Sequence, residues 1–172
     1  LEQVLSGVHR TLDFKAKAKG LIFETLIEKD IPKLLIGDPY RLNQILLNLA
    51  GNAIKFTSQG FVKINVSLKY NSPTQVVLNF SVTDTGIGIE HDKQHLIFES
   101  FSQAQNDHSR KYGGTGLGLT ITKRLIELLG GELTLESQQQ KGSIFKFSIP
   151  YAIGEAKLLS AVVEPQFMQS LE

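Results

Sequence analysis

The chain has 172 residues, a formal net charge of +1 and a hydrophobic fraction of 41%, which together favour one globular domain with a real core. The near-neutral charge gives no reason to expect nucleic acid or an anionic membrane surface as a partner. The sequence contains no cysteine, which excludes disulfides, zinc–thiolate sites and thiol catalysis. No apolar run approaches the length of about 18 residues that a membrane span needs, and the N-terminus lacks a signal-peptide pattern.

The first half of the chain predicts two helices separated by a short strand. Apolar residues at helical spacing, from Leu1 to Leu12, predict an amphipathic helix that ends at Gly20. A longer helix begins at Asp38 and Pro39, because aspartate offers a side-chain acceptor at the N-cap and proline suits the first helical position. Apolar, alternating or β-branched residues predict three strands, at residues 21–27, 61–70 and 75–84.

The second half combines irregular segments with one more helix and a hairpin. An apolar cluster predicts a short helix over residues 90–101, and the polar, aperiodic residues 102–112 predict a mobile loop. The glycine-rich residues 113–118 lead into a helix that ends at Gly130. The apolar stripe of that helix is predicted to be Leu117, Ile121, Leu125 and Leu128. The last two strands, which form the hairpin, are predicted at residues 132–137 and 143–149.

This succession of elements favours an α/β fold. We predict a two-layer sandwich in which three main helices pack on one face of a mixed sheet of about five strands. Pro150 is expected to end the last strand. Residues 1–19 are predicted to be the end of a preceding helix or linker, and residues 151–172 a C-terminal linker or appended helix. Because the sequence lacks an initiator methionine, we expect it to be a fragment of a longer chain.

The long helix that begins at Pro39 separates apolar from polar residues. At about 100° per residue, its apolar side holds Leu42, Ile45, Leu46, Leu49, Ala53 and Phe56. Its polar side holds Arg41, Gln44, Asn48, Asn52 and Lys55. Asparagine is a mediocre helix former, so two of them one turn apart suggest a use for their amide oxygens. Asn52 could offer magnesium a hard, neutral oxygen and Lys55 could offer phosphate a positive charge, but a polar face that merely meets water explains the pattern equally well.

Asp84 closes a predicted strand on its inward face, at the carboxyl end. A buried carboxylate must be paired or hydrogen-bonded, and the exocyclic amine of a purine could be its donor. Gly86 and Gly88 would let the backbone approach a ligand closely. An ordinary Asp–Gly turn remains the simpler interpretation of this motif alone.

The glycines of residues 113–118 precede a helix, and their backbone N–H groups predict an anion site at its positive end. No Gly-Lys-Ser/Thr follows, so this is not a Walker loop, and the G-x-G-x-G spacing differs from the dinucleotide fingerprint. A flexible hinge is the alternative. Arg110, Lys111 and Tyr112 precede the glycines and either close over ATP or form a solvated basic turn.

Four motifs, in order, carry a resemblance to a known family. They are NLAGNAIKFT at residues 48–57, DTGIG at 84–88, FESF at 98–101 and GTGLGL at 114–119. They resemble the catalytic ATP-binding (HATPase, Bergerat or GHKL-type) domain of sensor histidine kinases. The strings GDPYRLNQILLNL, FSQA and RKYGGTGLGL look most like those of hybrid kinases that carry receiver domains. The superfamily includes gyrase B, MutL and the heat-shock chaperone ATPases. The resemblance runs from about residue 15 to 150 and implies a Bergerat-type fold, with residues 20–150 as the ATP-binding catalytic domain.

The resemblance implies roles for individual residues. Asn52 would bind magnesium, Asn48 would contact the phosphates or the ion's water, and Lys55 would contact the phosphates; these three would be catalytic. Phe56 would pack on adenine, and Asp84 would accept a hydrogen bond from the adenine amine. The further ATP-binding residues would be Gly86, Gly88, Ile89, Lys111, Tyr112, Gly114, Thr115, Gly116, Leu117, Gly118 and Ser143. Many relatives have an arginine where this chain has Gln103, which leaves the cation at the γ-phosphate open.

One residue separates kinase from hydrolase chemistry in this superfamily. Hydrolases carry a glutamate at the position of Asn48, where it activates water, and asparagine cannot accept that proton. The resemblance therefore implies a kinase that transfers the γ-phosphoryl of Mg²⁺–ATP to a histidine on a dimerisation/phosphoacceptor domain outside this chain. The alternatives are an ATPase of the gyrase or chaperone kind, and a nucleotide-binding docking module without transfer activity.

We expect the phosphoacceptor histidine of the family to be absent from this sequence. His9 lacks the acidic neighbour and the proline of the family's acceptor motif, so we expect it to be a surface residue and the fragment not to phosphorylate itself. Residues 103–111 are expected to be disordered without nucleotide. The expected partners are the phosphoacceptor helices and a receiver domain or response regulator, with no nucleic acid and no direct membrane contact. The expected location is cytoplasmic, either free or as the cytoplasmic part of a membrane-anchored sensor.

Overall fold

The computed structural model describes residues 1–98 and 117–154. Its helices are α1 (Glu2–Ala18), α2 (Pro39–Phe56) and α3 (Gly118–Leu128). Its strands are β1 (Ile22–Ile27), β2 (Leu35–Ile36), β3 (Phe61–Asn71), β4 (Gln75–Asp84), β5 (Glu132–Gln138) and β6 (Gly142–Ile153). Two short 3₁₀ turns, His91–Lys93 and Leu96–Phe98, follow β4.

The strands form one mixed sheet in the order β1-β3-β4-β6-β2, with β5 also paired to β6. β1 runs parallel to β3, and the other neighbouring pairs are antiparallel. The helices pack on one face of this sheet through alternate inward residues such as Val62, Ile64 and Val82, which are fully buried. The predicted α/β sandwich is therefore confirmed. The described sheet has one strand more than the count of about five, because β2 is only two residues long and leaves no alternating pattern.

Helix α2 begins where the sequence predicted it. The Asp38 carboxylate accepts hydrogen bonds of 3.0 Å from the backbone N–H groups of Tyr40 and Arg41, with Pro39 in the first turn. The helix buries most of its apolar side in the core, including Leu42, Ile45, Leu46, Leu49 and Ala53. This burial fixes the rotation of α2 and leaves Asn48 and Asn52 on a half-buried flank.

Helix α1 is packed against the same core. Leu5, Val8, Leu12 and Ala16 recur at helical spacing and are at most 4% exposed. The helix contacts both α2 and β1. Gly20 follows it with φ +69°, a left-handed conformation that suits glycine at a helix end. Residues 1–19, predicted as a helix end or linker, thus include a helix that is part of the packed layer.

Three predictions of local structure were wrong. In place of a helix starting at residue 90, the described part of this segment forms the two 3₁₀ turns. In α3, Ile121 and Leu128 are exposed while Thr122 and Ile126 are buried, so the predicted stripe lies to one side of the true core face. β6 continues through Pro150 to Ile153. The nitrogen of Pro150 faces away from β4, since Ile153 N–H donates to Thr74 before β4 and Gly154 N–H donates to Leu34 before β2, and successive residues alternate. On that side the described sheet pairs β6 with β5 up to Ser148 and with β2 only from Ala152, so the missing N–H of Pro150 costs no ladder bond.

Candidate functional site

The amide flank of α2 meets the first turn of α3. Asn48 Nδ2 donates a hydrogen bond of 2.7 Å to the hydroxyl of Thr122, which is 1% exposed. A Cβ added at Gly118 would lie 2.6 Å from Asn48 Oδ1, so a larger residue there would displace the Asn48 amide from its present position. The structure therefore brings Asn48 together with Gly118, the last of the predicted phosphate-binding glycines. An open groove of about 490 Å³ between α2 and α3 runs past these residues.

Asp84 ends β4 on its inward face, as the strand period predicted. It is 7% exposed, and its Oδ1 accepts a hydrogen bond of 2.8 Å from the backbone N–H of Gly86. Burial raises the pKa of this carboxyl above its usual value, and the backbone N–H groups of Gly86 and Ser143 partly oppose that rise. A polar ligand that donates a hydrogen bond to the carboxylate would compensate part of its desolvation.

The loop after Asp84 is packed tightly against the end of α2. A Cβ at Gly86 would lie 2.5 Å from the carbonyl oxygen of Phe56 and 2.9 Å from Thr57 Oγ1. The Ile87 N–H also donates to the Phe56 carbonyl at 3.3 Å. Gly86 therefore allows a backbone contact that no side chain would permit, and this contact brings Asp84 next to the predicted adenine-binding and phosphate-binding turn of α2.

Gly88 serves the packing of the β5–β6 hairpin. It has φ +64°, and an added Cβ would overlap the carbonyl group of Gln138. Immediately after it, the Ile89 N–H donates to Ser137 Oγ at 2.8 Å. Ser137 Oγ also lies 2.9 Å from the hydroxyl of Ser143, which is 6% exposed. The hairpin thereby holds Ser143 beside Asp84, its partner in the strand register.

Lys55 and Phe56 occupy the last turn of α2. The Lys55 ammonium lies 5.0 Å from the centre of the Phe56 ring, and both side chains are half-buried. Asn52, one turn earlier, is also half-buried. The candidate site thus extends along one flank of α2, from Asn48 beside α3 to Phe56 beside the loop after β4.

Sequence reasoning missed three buried or half-buried hydroxyls of this site. Thr122 accepts from Asn48, Ser137 joins Ile89 to Ser143, and Thr57 Oγ1 donates to the Ala53 carbonyl at 2.7 Å. Thr122 interrupts an apolar pattern in the sequence, and Thr57 and Ser137 each follow one. The sequence therefore gave no sign that these hydroxyls are buried. The contacts of Thr122 and Ser137 join distant elements, whereas that of Thr57 is local to the end of α2.

Several predicted residues lie outside the described part of the chain. They are Phe101, Gln103, Arg110, Lys111, Tyr112, Gly113, Gly114, Thr115 and Gly116, together with the loop predicted to be disordered. Of the neighbouring motif positions, Leu117 is the N-cap residue of α3 and Phe98 meets the Phe145 ring edge-on at 6.5 Å.

His9 is only partly the surface residue that we expected. Its ring stacks on Phe23 with centroids 5.0 Å apart, and its side chain is 38% exposed. Its Nδ1 lies 3.3 Å from Thr25 Oγ1. Among residues 1–98 and 117–154, no helix has the length and apolarity to cross a membrane.

Comparisons with known proteins identify relatives of the whole described region. A family model described as "Histidine kinase-, DNA gyrase B-, and HSP90-like ATPase" matches residues 37–153. The sensory/regulatory protein RpfC of Xanthomonas campestris pv. campestris is 43% identical over 166 residues, which are 96% of this chain and 23% of RpfC. The chain thus spans less than a quarter of the length of that relative.

Two solved structures share the fold. Full-length ShkA in complex with AMPPNP matches with a TM-score of 0.75 and 35% identity, covering 95% of this chain and 32% of that one. The nucleotide-free catalytic domain of the histidine kinase ThkA matches with a TM-score of 0.67 and 26% identity, covering 87% of this chain and 93% of that one. These findings confirm the resemblance to histidine kinase catalytic domains that the four motifs indicated.

Proposed function

Because the chain belongs to the histidine kinase-, DNA gyrase B- and HSP90-like ATPase family, we propose that it binds Mg²⁺–ATP and transfers the γ-phosphoryl to a histidine on a separate dimerisation/phosphoacceptor domain. The contact of Asn48 with Thr122 and Gly118 carries this proposal. It sets an amide oxygen against the start of α3, where backbone N–H groups and the helix dipole favour an anion. The structure of full-length ShkA in complex with AMPPNP, a structural neighbour, supports nucleotide binding by this chain.

At the adenine end, Asp84 accepts a hydrogen bond from the exocyclic amine, directly and through a water that Ser143 helps to hold. The buried position of Asp84 makes this bond selective, since a ligand without a donor leaves a desolvated carboxylate unpaired. Gly86 and Gly88 frame the base, with Ile89 beside them, and Phe56 packs against its face. The tight contact between Gly86 and the Phe56 carbonyl keeps these groups in one rigid unit.

At the phosphate end, the half-buried amide of Asn52 would offer its oxygen to a magnesium ion bound together with the triphosphate. Magnesium prefers oxygen ligands and keeps several waters beside phosphate, so neutral amides are suitable ligands. When bound, the ion neutralises charge on the β- and γ-phosphates. Asn52 would be its protein ligand, Asn48 would orient the phosphates or a bound water, and Lys55 would contribute a positive charge from the next turn.

The transfer step needs no general base from this chain. Asn48 cannot accept a proton, which disfavours activation of water. A neutral imidazole nitrogen of the partner domain attacks the γ-phosphorus, its bond to phosphorus forms as the bond to the β–γ bridging oxygen breaks, and ADP leaves. The contribution of this chain is to position the phosphoryl group and to stabilise its charge.

The test combines binding with transfer in trans. Calorimetry with ATP and magnesium should detect binding by the wild type and by Asp30→Asn, an exposed control, but not by Asp84→Asn. Addition of a separately produced acceptor domain and labelled ATP should give acid-labile, alkali-stable label on that domain's histidine. Binding without transfer to any supplied acceptor would favour a docking module, and steady phosphate release without an acceptor would favour an ATPase. Label on His9 of this chain would contradict the acceptor assignment.

The wider setting follows from this function. We propose that the acceptor histidine passes its phosphoryl group to a receiver domain or response regulator, and that the domain works in the cytoplasm. The catalytic domain predicted at residues 20–150 would extend to the end of β6 at Ile153, with α1 packed against it and joining it to a preceding segment. Absence of label from a purified receiver domain, mixed with the labelled acceptor, would count against this relay.

A further inference from the structure

The last turn of α2 lacks the usual glycine cap. Thr57 follows the helix in an extended conformation, with φ −101° and ψ +128°, so no left-handed residue closes the final carbonyl groups. Two of those carbonyls have donors already described: Thr57 Oγ1 donates to Ala53 at 2.7 Å, and the Ile87 N–H donates to Phe56 at 3.3 Å. The remaining carbonyls at this end need another source of donors.

Lys19 supplies those donors. Its ammonium nitrogen lies 2.7 Å from the carbonyl oxygen of Ile54, 2.8 Å from that of Lys55 and 3.2 Å from that of Thr57. An ammonium group has three protons, so these three bonds use its full capacity. The positive charge also lies at the negative end of the α2 dipole, where it is most favourable.

The backbone of Lys19 is itself held firmly. Lys19 is the C-cap residue of α1, and its N–H donates to the Ala16 carbonyl at 3.0 Å. Leu21, which is 5% exposed, donates to the same carbonyl at 3.0 Å. Ala16 is fully buried against the core. The ammonium therefore connects the packed end of α1 with the end of α2.

We propose that Lys19 is a positioning residue for nucleotide binding, which holds the turn bearing Lys55 and Phe56 and couples it to α1. The inference rests on the proposed function, because the turn matters only if it binds adenine and phosphate. A displacement of α1 relative to α2 would break three charge-assisted bonds at once and loosen this turn. The position of α1 thereby sets the affinity of the site, although Lys19 does not contact the nucleotide.

The test is a graded series at Lys19: Lys19→Arg keeps the charge and several donors, Lys19→Gln keeps two donors without charge, and Lys19→Met keeps neither. Lys17→Met is the matched control, since Lys17 is also near the end of α1 but pairs with Asp13 of the same helix, at 2.6 Å. Calorimetry with ADP should give wild-type affinity for Lys17→Met and nearly so for Lys19→Arg. Lys19→Met should bind about fivefold more weakly or worse, with Lys19→Gln between the two.

Hydrogen–deuterium exchange separates positioning from a general loss of stability. Without nucleotide, Lys19→Met should exchange faster at residues 52–58 and at wild-type rates in β3 and β4.

Faster exchange throughout the described residues, with unchanged ADP affinity, would mean that Lys19 only stabilises the fold. Equal affinity and equal exchange in wild type and Lys19→Met would overturn the inference alone. Failure of the wild type to bind ADP would overturn the proposed function, and this inference with it. If Lys19→Met does not fold, the comparison of Lys19→Gln with Lys19→Arg decides in the same way.

Discussion

The side-chain amide of Asn48 donates a hydrogen bond of 2.7 Å to the hydroxyl of Thr122, seventy-four residues further along the chain. This bond fixes the orientation of the amide against α3, because the nitrogen is committed to Thr122. The oxygen then faces Gly118 at the start of the helix. A buried threonine thus sets the orientation of the asparagine on which the proposed phosphate site depends.

Replacement of Thr122 by valine, which has nearly the same shape, should weaken ATP binding. Valine leaves the amide nitrogen of Asn48 without its partner, at a cost of about 1–2 kcal/mol, and allows the amide to turn. Calorimetry of the wild type and the variant with ATP and magnesium measures the effect. Thr134→Val, on the exposed strand β5, is the control and should bind as the wild type does. Unchanged affinity in Thr122→Val would show that the bond does not orient Asn48 for nucleotide.

Local signals were sufficient to predict the elements that carry the site. An Asp–Pro pair located the start of α2, and a period of two placed Asp84 on the inward face of β4 at its last residue. Both depend on contacts within a few residues, such as the 3.0 Å bond from Arg41 N–H to Asp38. The sequence therefore predicted which residues share a flank or a strand end.

Contacts between distant elements could not be predicted from those signals. Thr122 was overlooked because the apolar residues around it suggested a different core face, on which Ile121 is in fact 45% exposed. No local pattern distinguishes Lys19 in the sequence, although its ammonium reaches three carbonyls more than thirty residues away. In both cases a polar side chain is fixed by the tertiary packing of two helices, which no local period encodes.

Gly86→Ala should destabilise the protein and abolish nucleotide binding. The new methyl group would lie 2.5 Å from the Phe56 carbonyl, and relief of that clash must separate the loop after β4 from α2, at a cost of about 1–3 kcal/mol. Gly7→Ala is the opposite case, because a Cβ in that part of α1 meets no other described atom within 4 Å. It should stabilise the protein by about 0.5–1 kcal/mol. Urea denaturation measures both changes, and equal stability of the two variants would contradict the packing described for Gly86.

Asn52→Ala should remove the magnesium dependence of nucleotide binding. Without its amide oxygen the ion loses its proposed protein ligand, while the contacts to adenine remain. We expect the wild type to bind ADP more tightly with magnesium than without it, and Asn52→Ala to bind equally in both conditions. Asn79→Ala, exposed on β4, should retain the dependence. A full magnesium effect in Asn52→Ala would assign the ion to other ligands.

Asp84→Asn should raise the stability of the ligand-free protein in a pH-dependent manner. Burial raises the pKa of Asp84 in the folded state above its unfolded value of 3.8, so the folded protein holds this proton more tightly than the unfolded chain does. The contribution of Asp84 to the free energy of unfolding is fully present below pH 3.8, and it is lost as the pH rises through the raised pKa of the folded state. Asparagine keeps an oxygen for the Gly86 N–H but never ionises. The variant's gain in melting temperature over the wild type should therefore be larger at about pH 7 than at about pH 4. A gain that is absent at both pH values, or larger at the lower one, would show that desolvation of this carboxylate does not oppose folding.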